Sequence, residues 1–98
     1  MASIEEEIKQ QKKFESEHEK AAVNIMFTSG WLYNINAGRM KKHGITPEQF
    51  NVLRILRGMN GKPASVKLLR ERMLDKMSDA SRIVEKLRLK GLVERNIC

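Results

Sequence analysis

Cysteine is almost missing from this sequence: Cys98 stands alone among 98 residues, so no internal disulfide can form, which agrees with a reducing compartment. Long hydrophobic runs are missing too, and no stretch approaches the roughly 18 uninterrupted apolar residues that a membrane span requires. Where a secretory signal would be basic, the N-terminus carries Glu5, Glu6 and Glu7, so nothing marks the chain for export and the cytoplasm is the expected location. His18 and His43 are single histidines without a cysteine or carboxylate at metal-ligand spacing, and neither a Gly-rich phosphate loop nor a nucleophile motif occurs. No enzyme, metal or cofactor is expected. The three glutamates read as a solvated helix start rather than a catalytic pair, and Cys98, without a resolving thiol, reads as incidental rather than as a redox sensor.

What the chain does have is positive charge, +7 in total and unevenly spread. Residues 1–20 set four lysines against six glutamates, a balance of −2, so the remainder carries +9. A small domain that basic attracts polyanions, because each Lys or Arg placed against a phosphate releases condensed counterions. Nucleic acid therefore leads the list of partners, with a merely solvated basic surface as the alternative. A chain this short makes one small domain, and such domains often gain stability by association.

Residues 3–20 are polar and helix-permissive, with Ile4, Ile8 and Phe14 as a thin apolar stripe. From Ala21 to about His43 apolar residues at helical spacing predict a long buried helix, closed by Gly44 in the left-handed C′ position. Thr46-Pro47-Glu48-Gln49 has the pattern of a capping box, starting a helix that buries Phe50, Leu53 and Leu56, with Val52 and Ile55 alongside, and stops at Gly58 and the Asn60-Gly61 turn. Ser65 caps a short helix over about 66–73 with Val66, Leu69 and Met73 inward. Ser78 is expected to cap a last helix, running to about Lys90 and stopped by Gly91, with Ala80, Ile83, Val84 and Leu87 inward. Leu92 to Cys98 alternate loosely and predict the start of a strand. Domain boundaries are expected at 1–44 for an N-terminal helical region and 45–98 for the rest.

Two short helices joined by a tight turn, the second one basic, form a helix-turn-helix pattern over residues 65–90. At about 100° per residue, Arg82 lies about 200° from Ala80 and must point outward if Ile83 and Leu87 point inward. An outward arginine there can grip a guanine edge or a phosphate, or simply be solvated. Ser78, Asp79 and Ser81 occupy the N-terminal turn, where hydroxyls and free N–H groups meet phosphates or base edges; the plainer role is a cap for Ser78 and a favourable charge at the positive end of the helix dipole for Asp79. Lys76 and Lys86 are candidates for phosphate contact, with solvation as the alternative. Trp31 and Tyr33 could line a ligand pocket, although core or dimer packing is the commoner use of Trp31.

The run Ile45-Thr46-Pro47-Glu48-Gln49-Phe50, then Val52-Leu53-Arg54-Ile55-Leu56, and later Ser81-Arg82-Ile83-Val84-Glu85-Lys86-Leu87 leading into Lys90-Gly91-Leu92-Val93-Glu94-Arg95, resembles the multiple-antibiotic-resistance regulator (MarR) family over about residues 20–98. The resemblance implies a mainly α, winged helix-turn-helix fold with a preceding long N-terminal helix. It further implies a homodimeric, cytoplasmic repressor of transcription that binds pseudo-palindromic double-stranded DNA and responds to a small lipophilic or phenolic effector. By it, residues 78–90 form the recognition helix and Leu92 to Cys98 begin the wing; Lys76, Ser78, Asp79, Ser81, Arg82, Lys86 and Arg95 are the expected DNA-contacting set. The family's wing tip and C-terminal helices have no counterpart after Asn96-Ile97-Cys98, so the sequence is expected to be truncated with its wing incomplete. The rival reading is a winged-helix protein-interaction module that binds no specific DNA sequence.

Overall fold

Caps and glycines set the helix boundaries in this computed structural model, which describes residues 2–96. Among those residues the fold is mainly α: α1 is Ile4–Glu7, α2 Glu17–Lys41, α3 Pro47–Arg57, α4 Val66–Arg72 and α5 Ala80–Leu89. The chain divides into two compact units, Met1–Asn36 and Ala37–Cys98.

In the first unit, Ser3 Oγ accepts from the Glu6 amide at 3.2 Å and starts α1, which lasts one turn before Lys9 adopts a positive φ of 55°. The polar segment 3–20 is thus not one continuous helix. Ser16 Oγ accepts from the Glu19 amide at 3.1 Å, so α2 begins at Glu17, four residues earlier than its apolar pattern suggests. A Lys20–Glu5 ion pair at 3.4 Å ties α2 to α1.

The expected burial of the long helix is not observed. No residue of α2 is buried; Ile25 is 71% and Trp31 58% exposed. Its apolar residues come in consecutive runs, Ile25-Met26-Phe27 and Trp31-Leu32-Tyr33, and so point around much of the helix. Such a pattern specifies a helix with faces to cover but does not say what covers them.

In the second unit, Gly44 takes φ +73° and the Ile45 amide donates back to Met40 O at 3.3 Å, closing the end of α2. Thr46 and Gln49 then form the full capping box: Thr46 Oγ1 accepts from the Gln49 amide at 3.1 Å and Gln49 Oε1 from the Thr46 amide at 3.2 Å. Ser65 Oγ likewise starts α4 by accepting from the Leu68 amide at 3.1 Å. Val52, Ile55, Leu69, Met73, Ala80 and Leu87 form the core, with Leu53, Leu56, Val66, Ile83, Val84 and Val93 half-buried against it. One face was misassigned from sequence. Phe50 is exposed, whereas Val52 is fully buried; the two lie about 160° apart around the helix, so both cannot face one core.

At the far end, Gly91 at φ +75° and a Leu92 amide to Leu87 O bond of 3.1 Å close α5 as the sequence predicted. The expected strand is not found over residues 92–96; Ile97 and Cys98 lie outside the described residues. A strand exists by ladder bonds to a neighbour, and no second extended segment pairs with 92–96 among the described residues.

Candidate nucleic-acid interface

Helices α3, α4 and α5 pack on one another, and this triangle fixes the outer face of α5. The link from α4 to α5 is built from hydrogen bonds that its backbone amides donate. Met73 ends α4 with its side chain in the core, and the Leu74 amide donates to Asn51 Oδ1 on α3 at 2.9 Å. Asp75 then folds the turn, its Oδ1 accepting from the Met77 amide at 2.9 Å and its carbonyl from the Ser78 amide at 3.2 Å. Asp79, rather than Ser78, caps α5: its Oδ1 accepts from the Arg82 amide at 3.2 Å. Either residue type can cap; the Asp75 turn decides between them by placing Asp79 at the extended position before the first helical residue.

Along α5, Ala80 and Leu87 are buried and Ile83 and Val84 half-buried, which leaves Arg82 on the opposite side. Ser81, Arg82 and Lys86 are exposed, and neither the Arg82 nor the Lys86 side chain has a hydrogen bond or ion pair among the described residues. The other candidates differ in circumstance. Ser78 is half-buried, and its Oγ is shielded from water without a hydrogen-bond partner among the described residues. Lys76 is exposed but donates to the carbonyl of Glu71, at the end of α4. Arg95 is exposed beyond the C-terminal end of α5, so the structure gathers Ser81, Arg82 and Lys86 on the helix and Lys76, Ser78 and Asp79 at its entry, with Arg95 at the far end.

Not every cation here is free. Glu85 is paired with Arg88, Nε to Oε2 at 3.0 Å, and this bond, reinforced by the charges of Arg88 and Arg95, holds the Glu85 carboxyl below the ordinary carboxylate range. Lys90 Nζ donates to Gly44 O and, at 2.9 Å, to Gln49 Oε1, fastening the end of α5 to the start of α3. Sequence reading missed both this clamp and Asn51. The signal for Asn51 was present: a polar residue one turn before Ile55 on a helix whose buried side contains Ile55.

In the first unit, Trp31, Phe27, Thr28 and Asn24 of α2, with Ala2, Ile4 and Glu7, line an open cleft of about 390 Å³; Tyr33 is not among its lining residues. Among the described residues no group of three or more His, Cys, Asp or Glu could hold a metal ion, and no helix is long and apolar enough to cross a membrane.

A sequence model of the MarR family matches residues 43–97, more than half of the chain and all of α3, α4 and α5. No curated protein and no solved structure matches.

Proposed function

The chain belongs to the MarR family of transcriptional regulators, and on that premise we propose that it is a sequence-specific double-stranded DNA binder that places α5 in the major groove. The observation that carries this reading is the outer face of α5, where Arg82 and Lys86 are exposed and uncommitted while Ala80 and Leu87 anchor the opposite side. Arg82 has the planar donor fork that matches the O6 and N7 of guanine; Lys86 suits phosphate. Ser81 adds a hydroxyl near the start of the helix, and Lys76 and Arg95 extend the basic surface to either end. Asp79 acts through its cap, and Ser78 through the bond of its amide to the Asp75 carbonyl, which sets the turn, rather than through its shielded hydroxyl.

The reading includes a homodimer that acts as a repressor. The uncovered apolar residues of α2 support pairing, since Ile25, Met26, Trp31 and Leu32 are each at least half exposed. A small lipophilic or phenolic effector completes the reading, supported by the aromatic lining that Phe27 and Trp31 give the open cleft of the first unit. A second reading, docking of a protein partner, is favoured by Leu74 and Met77, which are 82% and 92% exposed in the turn that leads into α5. Selection of duplexes from a random library at two salt concentrations separates the two. Enrichment of a two-fold-symmetric site supports the DNA-binding reading; weak, salt-sensitive binding without enrichment favours the docking module.

A further inference from the structure

The turn that aims α5 has little apolar anchorage of its own. Between Met73 and Ala80, both in the core, the large apolar side chains are Leu74 and Met77, and both stand in solvent. Among the described residues, the direct hydrogen bond from this turn to a helix other than the two it joins is Leu74 N–H to Asn51 Oδ1, at 2.9 Å across 23 residues of sequence. Asn51 is only 8% exposed, and its Nδ2 is buried without a hydrogen-bond partner among the described residues. An amide kept in that setting is costly as packing alone, because an apolar side chain of similar size would leave no donor unsatisfied. Its carboxamide oxygen, however, does what no apolar group could. It fixes the backbone two residues beyond α4, from which the Asp75 turn and the Asp79 cap follow in unbroken succession to Arg82.

We propose that Asn51 is the positioning residue of the recognition helix: through the Leu74 amide it sets the entry of α5 and hence where Arg82 meets the groove, without touching DNA itself. This rests on the DNA-binding reading above. A helix whose entry is loosened keeps its charges, so nonspecific attraction to phosphates survives while base contacts, which need alignment to a fraction of an ångström, weaken.

The test uses the full 98-residue chain and compares wild type with Asn51→Leu, which removes the acceptor, and Asn51→Asp, which keeps one. Two quantities are read: amide hydrogen exchange at Leu74, and the ratio of affinity for a selected duplex to that for random duplex. Because both duplexes carry the same phosphate charge, the ratio cancels the charge that aspartate adds. Asn51→Leu should raise exchange at Leu74 and lower the ratio roughly three- to tenfold, the worth of one hydrogen bond, with random-duplex affinity unchanged, and Asn51→Asp should restore most of the ratio. A wild-type ratio in folded Asn51→Leu overturns the proposal and leaves the DNA-binding reading intact. Should Asn51→Leu fail to fold, wild-type exchange at Leu74 as fast as at a solvated amide, or a ratio for Asn51→Asp as low as for random binding, overturns it instead. A wild-type chain that selects no duplex overturns both readings.

Discussion

Leu87 and Leu89 are two residues apart on α5, yet their truncation should have opposite consequences. Leu87 is fully buried among the side chains of α3 and α4, whereas Leu89 is 72% exposed. Leu87→Ala removes three buried carbons, about 2.4 kcal/mol at about 0.8 kcal/mol per methylene, and the cavity left behind raises the loss toward about 5 kcal/mol. A domain of this size is stable by about 5–15 kcal/mol, so the change takes a large share of the total. Leu89→Ala removes little buried surface and gains slightly in helix propensity, which keeps it within about 0.5 kcal/mol of wild type. Urea denaturation followed by circular dichroism at 222 nm, at one fixed protein concentration, reads the difference. With a slope of about 1–2 kcal/mol per molar, Leu87→Ala should move the midpoint down by more than about 1 M and Leu89→Ala by less than about 0.5 M. Equal losses in the two variants, or a larger one for Leu89→Ala, would refute the assigned orientation of α5 and with it the outward placement of Arg82.

Three further perturbations probe the same helix. Arg82→Ala should leave stability within about 0.5 kcal/mol while weakening a selected duplex by about 1–3 kcal/mol, checked by thermal melts beside fluorescence anisotropy. Asp79→Ala should destabilise by about 0.5–2 kcal/mol through loss of the cap, and Ser78→Ala should cost less because its shielded hydroxyl has no bond to lose; calorimetry distinguishes them. Glu85, whose folded pKa is depressed chiefly by its bond to Arg88, contributes stability that is present above the ordinary carboxylate pKa and lost as pH falls through the lower folded value. A carbon-detected titration should therefore find Glu85 ionised below its usual range, and Arg88→Ala should return it toward the ordinary value.

Chemistry within a few residues was readable from sequence. The Thr46–Gln49 capping box, the ends at Gly44 and Gly91 and the α4–turn–α5 pairing each depend on neighbours along the chain, and each stands as expected. Long-range facts were not. Phe50 and Val52 are both apolar, and only the positions of α4 and α5 decide which faces the core. Asn51 looked like an ordinary helix residue because its partner, the Leu74 amide, is 23 positions away. The bareness of α2 escaped for another reason: periodicity reports that a face is apolar, not whether it is covered. At the candidate interface the sequence placed Arg82 outward, as the structure has it, because the 100° geometry of a single helix is a local property, but it gave the cap of α5 to Ser78 where Asp79 holds it.

The most direct measurement is a residue-by-residue amide shift map of the chain during titration with a selected duplex. The account predicts that the largest changes fall on Ser81, Arg82 and Lys86 and at the entry of α5 near Lys76 and Asp79, with Ala80 and Leu87 moving less than their outward neighbours. Changes confined to α2, or spread evenly over every lysine and arginine of the chain, would contradict the placement of α5 in the groove.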